Sequence, residues 1–567
     1  MTRATGFDEE YDYIIVGAGS AGCVLADRLS ADGRNSVLVL ESGGTDRSML
    51  IRMPAALSIP LNMRKYDWGL YSEPEPGLGG RRIHQARGRL IGGSSSINGM
   101  AHVRGHALDF DEWAEQGAAG WNYAGVLPYF RRAETCVYGA DDYRGADGPL
   151  TVCNGNEMRN PLYRAFIEAG RQAGYGTTAD YNGYRQEGFG RMDMTVRDGV
   201  RCSAALAYLR PALKRPNLVL KTGALVTRIV MDARQTAGVE YRRGGAIARM
   251  RARREVVLAA SAFNSPKLLM LSGIGPADHL AAHGIDVVHD LPGVGRNLQD
   301  HLEVWVQHRC TQAITLNGWL NPLGRLLIGA RWLLFRDGLG ATNHFEANGY
   351  IRSRAGLRAP DIQYHFLPGA IAYDGSGAVR GHGYQVHLGA NKPKSRGQLR
   401  LKSADPAAPP ELTFNYLSDE ADRRAFRAGL RLTREIFAQA AFDPYRGEEV
   451  SPGRAVRTDD EIDAWIAQAA ETAYHPAGTC RMGVDALAVV DPECRVRGIA
   501  RLRVIDSSIM PTLTNGNLNA PTIMIGEKGA DHVLGKPLLE PVNAPVFIAP
   551  GWQQRQRIGE PERRTED

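Results

Sequence analysis

Residues 474–483 (YHPAGTCRMG) place His475, the side chain best suited to proton transfer, at the start of a turn. An imidazole with an ordinary pKa near ~6.5 can accept or release a proton at neutral pH, so His475 could serve as a general base. Further on, residues 515–521 (NGNLNAP) end on Pro521, which suits the first helical position because its missing N–H would have no partner there. The positive end of that helix favours an anionic ligand. On residue type alone, a purely structural role for His475 is the alternative.

The elements that must position this chemistry begin with a nucleotide-binding pattern. An apolar, β-branched run at 13–16 predicts a buried strand, the loop GAGSAG follows at 17–22, and residues 23–29 have helical spacing. The three glycines make, in order, a tight turn, a close approach to a pyrophosphate and close helix–strand packing. The phosphates are expected at the helix N-terminus. The predicted contacts in this loop are Gly17, Gly19, Ser20, Ala21 and Gly22.

A second predicted strand, residues 36–40, ends on Glu41. An acid at this position accepts the ribose hydroxyls of an adenosine. Glu41 would repel a 2′-phosphate, which argues against NADP and leaves FAD or NAD as the dinucleotide.

Two further stretches of small residues predict close contact with a ligand. Residues 88–105 (GRLIGGSSSINGMAHVRG) could by themselves be a surface loop. Residues 261–275 (SAFNSPKLLMLSGIG) follow a predicted strand at 255–259, where a small-residue turn again approaches a nucleotide. This second match favours cofactor binding by both stretches. In the first stretch, the predicted contacts are Gly92, Gly93, Ser94, Asn98 and Gly99.

Together, these stretches resemble the glucose–methanol–choline (GMC) family of FAD-dependent alcohol oxidoreductases, from Tyr11 to about Leu534. The resemblance implies FAD as the cofactor. Some members attach the flavin through a histidine, and Ile97 stands at that position here, so FAD is expected to bind without a covalent link. The further cofactor contacts that the resemblance implies are Ala101, Val226, Asp506, Asn519 and Pro521.

The resemblance also implies the reaction. It identifies His475 as the catalytic histidine and Asn517 as its partner. A primary alcohol would lose its hydroxyl proton, with His475 as base, while a hydride passes from its carbon to flavin N5. The electrons would then go to a respiratory quinone or to oxygen, and the sequence does not distinguish the two.

Within the family, the sequence is most similar to bacterial members that oxidise choline to betaine aldehyde in glycine betaine synthesis. The resemblance implies that Glu303 holds the trimethylammonium group and that His365, Trp68 and Tyr474 line the substrate site. A quaternary ammonium forms no hydrogen bonds, so a carboxylate with aromatic faces is a suitable receptor. The alternative for Glu303 is an interdomain ion pair.

Two other functions remain open at this point. The lysines in residues 389–396 (GANKPKSR) are closer to family members that act on neutral primary alcohols, as dehydrogenases or oxidases. A flavin-binding protein without alcohol chemistry is the third hypothesis, which His475 and Asn517 disfavour.

We predict an α/β fold with a Rossmann-like FAD-binding domain of the GMC type and a substrate domain built on an antiparallel sheet. Strands for that sheet are predicted at 361–367, 384–388 and 398–402. The FAD-binding domain is assigned residues 8–135, 200–310 and 455–540. The substrate domain is assigned 136–199 and 311–454, and the Pro- and charge-rich tail, 541–567, is predicted to be disordered.

Composition excludes several classes of protein. A chain of 567 residues is too long for one core, and a net charge of +6 without a basic block argues against a nucleic-acid partner. Seven cysteines without a CxxC pair indicate free thiols in a reducing compartment, and no metal site is predicted. The polar N-terminus lacks a signal peptide, so a cytoplasmic location is expected.

Residues 323–335 (LGRLLIGARWLLF) predict an amphipathic, basic helix. It could pack on the second domain. Alternatively, its apolar face could contact the inner face of the cell membrane, with Arg325, Arg331 and Arg336 near anionic headgroups.

Overall fold

The computed structural model describes residues 6–155, 157–372 and 379–557, and two seven-stranded sheets dominate this part of the chain. In chain order, their strands are β1 (Glu9–Val16), β2 (Val37–Glu41), β3 (Gly188–Arg191), β4 (Leu218–Thr222), β5 (Leu225–Asp232), β6 (Gln235–Arg243), β7 (Ala246–Leu258), β8 (Leu302–Cys310), β9 (Ala347–Ile351), β10 (Ile362–Leu367), β11 (Gly383–Ala390), β12 (Arg446–Ser451), β13 (Glu471–Thr472) and β14 (Leu502–Val504). The longer helices are α1 (Ser20–Ser30), α2 (Ala107–Glu115), α3 (Tyr123–Ala133), α4 (Pro161–Gln172), α5 (Ser261–Leu271), α6 (Pro322–Phe335), α7 (Glu420–Phe437), α8 (Asp459–Ala469) and α9 (Asn519–Leu534).

The first sheet is the predicted Rossmann-like unit. Its strand order is β4-β2-β1-β7-β6-β5, with β14 also pairing with β7. Strands β4, β2, β1, β7 and β14 pair in parallel, whereas β5 and β6 form an antiparallel extension. The residues Ile14, Ile15, Leu38 and Val39 are completely buried, as expected for a parallel sheet that is covered on both faces.

The second sheet is antiparallel throughout, in the order β12-β8-β11-β10-β9-β3, and β13 extends it beside β8. Side chains on a strand alternate between its two faces. One face packs on α4 and α7 through aromatic contacts such as Phe166–Phe366, with ring centroids 4.7 Å apart. The other face carries a row of polar and aromatic side chains and faces the cofactor-binding domain. The predicted fold class is therefore confirmed.

Two details of the predicted substrate domain are wrong. The strand predicted at 398–402 is Gly397–Arg400, and it pairs with Arg296–Leu298 and Glu411–Thr413 in a separate small sheet. Residues 302–310 were assigned to the FAD-binding domain, but they form β8 in the middle of the antiparallel sheet, and β13 also belongs to that sheet. The local pattern of a strand indicates its faces and not the strand with which it pairs.

The prediction of a disordered tail is wrong for residues 541–557. The N–H of Val542 donates to the carbonyl of Ala124 (3.0 Å), and that of Phe547 to Tyr184 (2.9 Å). Further on, Arg557 forms an ion pair with Glu435. These partners lie far away in sequence, so composition alone could not reveal them. Residues 558–567 lie outside the described part of the chain.

Helix α6 is held by few contacts. Only Gly324 and Trp332 are buried, and the indole N–H of Trp332 donates to the carbonyl of Gly199 at 2.6 Å. Packing on the second domain therefore leaves the apolar side chains of α6 largely uncovered. None of the helices in the described part of the chain has the length and apolarity needed to cross a bilayer. All seven cysteines are free thiols.

Candidate active site

A cavity of about 420 Å³ lies between the nucleotide-binding loops and the polar face of the antiparallel sheet. It brings together residues from both domains, which the sequence separates by hundreds of positions. The predicted site residues that line it are Gly17, Gly19, Ser20, Ala21, Glu41, Trp68, Gly93, Ser94, Asn98, Gly99, Ala101, Val226, Glu303, His365, Tyr474, His475, Asp506, Asn517 and Asn519.

Three predicted cofactor contacts do not line this cavity. A Cβ on Gly22 would lie 2.0 Å from the carbonyl oxygen of Gly17, so Gly22 allows α1 to pack closely on the loop. The N–H of Gly92 donates to the carbonyl of Ala18 at 2.7 Å, which joins the two glycine loops. Pro521 is buried and is the third residue of α9, because the helix begins at Asn519 and not at Pro521. Gly22, Gly92 and Pro521 therefore support the loops and the helix that line the cavity but do not line it themselves.

The nucleotide end of the cavity is built from backbone. A Cβ on Gly93 would lie 2.8 Å from the Cα of Gly19, so the second glycine loop rests directly on the first. Gly19 is the N-cap of α1 and has no side chain to cap it, which leaves the first N–H groups of the helix for a phosphate. The hydroxyl of Ser20 donates to the amide oxygen of Asn519 (2.8 Å) and ties α1 to α9.

Glu41 ends β2 at the cavity wall. Its carboxylate accepts the N–H groups of Ala18 (2.9 Å) and Gly43 (2.7 Å), which fixes its orientation. Burial raises the pKa of Glu41. Each carboxylate oxygen has a second lone pair, so Glu41 can still accept ribose hydroxyls at the end of the strand.

His475 is fixed by hydrogen bonds on both ring nitrogens. Its Nδ1 lies 3.1 Å from Nδ1 of His301, and Nε2 of His301 lies 3.0 Å from the carbonyl oxygen of Asn391. A carbonyl only accepts, so Nε2 of His301 carries a proton, and Nδ1 of neutral His301 accepts the N–H of His475 Nδ1. The lone pair of His475 is therefore on Nε2, which accepts from the amide of Asn517 at 3.1 Å.

His475 is a neutral base in this environment. Burial is the largest cause that lowers its pKa well below 6.5, and the neighbouring His301, His365 and Arg87 lower it further. Burial likewise lowers the pKa of His301 to about 4. Both rings are therefore neutral at pH 7, as the tautomer assignment requires.

The backbone at His475 is held in place by its neighbours. The preceding residue, Tyr474, has φ +64°, a left-handed conformation that costs about 1–3 kcal/mol for such a residue. The carbonyl of Tyr474 accepts from Arg87 (2.6 Å), and the N–H of His475 donates to the buried carboxylate of Asp300 (2.8 Å). These bonds stabilise the strained turn and aim the imidazole into the cavity.

Asn517 connects His475 with His365. Its amide nitrogen donates to Nε2 of His475, and its oxygen lies 3.2 Å from Nε2 of His365. The pKa of His365 is lowered to about 4, mainly by burial. The predicted pair of His475 and Asn517 thus forms one hydrogen-bonded group with the predicted substrate residue His365.

The far end of the cavity contains a buried carboxylate among aromatic rings. Glu303, on β8, accepts from Nδ1 of His387 (2.8 Å) and from the indole N–H of Trp305 (2.9 Å). Burial opposes the ionisation of Glu303, but His387 and Trp305 outweigh it and lower the pKa to about 2. The aromatic side chains at the cavity wall are Trp68, Trp305, Phe345 and Tyr474.

Sequence reasoning missed four of these residues: His301, Trp305, Phe345 and His387. A signal for two of them exists. Residues 303–307 (EVWVQ) and 385–387 (QVH) alternate polar or aromatic side chains with valine, which predicts one functional face on each strand. His301 has no such signal, because its role depends on the distant His475.

Comparisons with known proteins show the family to which the chain is similar. The family model described as GMC oxidoreductase matches residues 11–303 with its N-terminal part and 393–526 with its C-terminal part. The chain is 58% identical over 556 residues to an oxygen-dependent choline dehydrogenase of Photobacterium profundum, covering 98% of each chain. It is also 58% identical over 550 residues to an oxygen-dependent choline dehydrogenase of Brucella ovis, covering 97% of this chain and 100% of the relative.

Two solved structures are also similar. Pyridoxine 4-oxidase from Mesorbium loti has a TM-score of 0.84 and 33% identity, over 93% of this chain and 99% of the other. An Aspergillus oryzae formate oxidase, studied for modification of its FAD, has a TM-score of 0.87 and 26% identity, over 94% of this chain and 99% of the other.

Proposed function

We propose that this chain, which belongs to the GMC oxidoreductase family, is an FAD-dependent enzyme that oxidises choline to betaine aldehyde. One observation carries the proposal: a single cavity contains both a neutral imidazole, His475, and an ionised carboxylate among aromatic rings, Glu303. The first can receive a proton from an alcohol, and the second can bind a quaternary ammonium group. Relatives at 58% identity that are named choline dehydrogenases support the same substrate.

FAD is the cofactor that the family implies, and the nucleotide end of the cavity fits it. The contact between Gly19 and Gly93 leaves no room for side chains where a pyrophosphate must approach, and Glu41 ends β2 where a ribose is bound. When bound, FAD supplies the hydride acceptor. We propose that it is bound without a covalent link, because Ile97 lines the cavity and has no nucleophilic atom.

Acid precipitation should therefore release the flavin. The yellow colour is expected in the supernatant, where its absorbance is measured after the pellet has been removed. The pellet washed in denaturant is the control. Flavin that remains with the pellet would show a covalent link through a residue other than Ile97.

The side chains act on the alcohol as follows. Nε2 of His475 accepts the hydroxyl proton, and His301 fixes the tautomer that makes this lone pair available. Asn517 lies beside the same nitrogen and hydrogen-bonds the substrate oxygen. Glu303 binds the cationic end, which orients the reacting carbon.

The alternative substrate is a neutral primary alcohol, because Lys392 and Lys394 resemble the lysines of family members that act on such alcohols. Neither lysine is among the residues that line the cavity, and Lys392 forms an ion pair with Asp109. The lysines therefore give no reason to exclude a cation from the site.

Anaerobic bleaching of the flavin tests the function. Choline should bleach it, and hexanol at the same concentration should do so at least ~10-fold more slowly, because hexanol has no charge to pair with Glu303. Admitting air, or adding a soluble quinone anaerobically, should restore the colour and identify the electron acceptor. Equal rates with both alcohols would contradict choline as the substrate.

We also propose that the protein is cytoplasmic and binds peripherally to the inner face of the cell membrane. Helix α6 exposes six large apolar side chains: Leu323, Leu326, Leu327, Leu333, Leu334 and Phe335. The helix has no acidic residue, and Arg331 pairs with Asp337 just beyond its end, so the apolar face is the feature that suits a membrane surface. A contiguous apolar surface of this kind marks an interaction site.

The double substitution Leu326→Asp with Leu334→Asp tests this location. The parent should sediment with vesicles that contain phosphatidylglycerol, and the double variant should stay in the supernatant with unchanged turnover in a soluble assay. Ile247→Asp, which changes an equally exposed side chain on β7, should still sediment. If the parent does not sediment with the vesicles and instead forms a dimer through α6, a second copy of the chain covers this face.

A further inference from the structure

The loop at residues 401–410 connects two strands of the small sheet, and we call it the strap. Its ends are fixed, because the flanking strands Gly397–Arg400 and Glu411–Thr413 pair with each other in an antiparallel register. Its turn is ordered by Asp405, whose carboxylate accepts the N–H of Ala407 at 2.9 Å. Proline occupies three of its ten positions, and each proline ring restricts the backbone. The strap is therefore an element of defined shape.

Lys267 on helix α5 binds the strap. Its ammonium group donates to the carbonyl oxygens of Pro406 (2.8 Å) and Ala408 (2.6 Å), which lie 139 and 141 positions further along the chain. Lys267 is only 8% exposed, and burial lowers its pKa to about 8. A buried ammonium is costly unless its donors have partners, so Lys267 and the two carbonyls stabilise each other's positions.

Lys267 and Pro406 line the same cavity as Glu41. The N–H of Ala224 donates to the carbonyl of Glu41 (2.9 Å), so residues 224–226, which also line the cavity, continue the wall from the end of β2. They lead into β5, and helix α5 packs on this strand. Strand β5 and helix α5 therefore connect Glu41 with the strap. The apolar side chains that they contribute to the wall are Leu225, Val226, Leu268 and Leu271.

This part of the wall suits the adenine of FAD. In FAD the adenine follows the pyrophosphate and the ribose, which the proposed function assigns to Gly19 and Glu41. The wall beyond Glu41 is mainly apolar, as the flat face of a purine requires. We infer that the strap, held by Lys267, closes the adenine end of the cofactor site and retains FAD there. The inference rests on the proposed function, because it deepens the FAD site proposed above.

The exposure of the strap agrees with this role. Asp405, Ala407 and Pro409 are exposed, whereas Pro406 is half-buried and lines the cavity. One layer of chain therefore lies between this end of the cavity and water. For the adenine to leave past the strap, the two hydrogen bonds from Lys267 must break.

The rate at which FAD leaves the holoenzyme tests the inference. Lys267→Met keeps the length and the apolar stem of the side chain but removes its donors. The holoenzyme is diluted above a membrane that retains protein, and the FAD that passes is measured by its absorbance. Lys267→Met should release FAD about tenfold faster than the parent, because it loses two hydrogen bonds from a charged donor.

Lys528 provides the matched control. It is buried as well, and it donates to the carbonyls of Gly120 and Gly125, but it is not among the residues that line the cavity. Lys528→Met should therefore release FAD at the parent rate. Equally fast release from both lysine variants would mean that loss of any buried lysine loosens the fold, and this would overturn the inference.

A second variant shows whether Lys267 acts through the strap. Pro406→Gly removes the ring that lines the cavity and makes the strap more flexible, so it should also release FAD faster. In the double variant, Lys267→Met should add little to the effect of Pro406→Gly, because both changes open the same element. If the two fold-changes multiply, Lys267 acts on the cofactor independently of the strap, and the inference is wrong.

Failure of the proposed function would look different. The release measurement uses no substrate, so its result does not depend on whether choline is oxidised. A purified protein without FAD would contradict the proposed cofactor together with this inference. Release of FAD at the parent rate from Lys267→Met would overturn this inference alone.

Discussion

Replacing His475 by Ala is expected to lower the rate of flavin reduction by choline by about 10²–10⁴, the usual contribution of a positioned acid–base group. The lone pair on Nε2 of His475 is directed at Asn517 in the cavity by the hydrogen bond from Nδ1 to His301. Without it, the cavity loses the imidazole nitrogen that is positioned to receive the hydroxyl proton. Anaerobic stopped-flow measurement of the flavin absorbance gives this rate directly.

FAD should remain bound in this variant, because the contacts of the nucleotide end do not include His475. His283→Ala, which changes a partly exposed histidine beyond the end of a short helix, should reduce its flavin at the parent rate. If His475→Ala reduces its flavin at the parent rate, another group is the base.

The pH dependence gives a separate prediction. Since burial holds the pKa of His475 well below 6.5, the parent kcat/KM should be constant from pH 8 to 6.5 and fall only in more acidic solution.

Replacing Glu303 by Gln is expected to lower kcat/KM for choline by tenfold or more and to change that for 3,3-dimethylbutan-1-ol far less. A carboxylate about 4–5 Å from a quaternary nitrogen in a partly desolvated site contributes on the order of a few kcal/mol, and ~1.4 kcal/mol is a factor of ten. The Gln side chain keeps the size of Glu and can still accept from Trp305 or His387, so the substitution removes chiefly the charge.

Glu471 provides the matched control. It is the cross-strand neighbour of Glu303 on β13, but it pairs with Arg81 and is not among the residues that line the cavity. Glu471→Gln should leave the ratio of the two substrates unchanged. If Glu303→Gln lowers kcat/KM equally for both alcohols, Glu303 has a structural role, and oxidation of a neutral alcohol becomes the better proposal.

The sequence by itself determined the features that depend on short stretches of chain. The loop at 17–22 between a buried strand and a helix predicts a dinucleotide site, because turn geometry and helix N-termini are local properties. The same holds for Glu41 at the end of β2 and for helix α6. Family resemblance added Ile97, His475, Asn517 and Glu303, which the fold places in one cavity.

The tertiary structure alone decided which distant groups meet. His301 and His475 are 174 positions apart, and their hydrogen bond sets the tautomer of the base. The register of β8 against β11 places His387 beside Glu303, 84 positions away, and a shift of β11 by one residue would turn the side chain of His387 to the other face of the sheet. Partners for residues 541–557 likewise come from remote segments. Local patterns specify which face of a strand is functional, but the charge and tautomer of a buried group depend on neighbours that only strand pairing brings into contact.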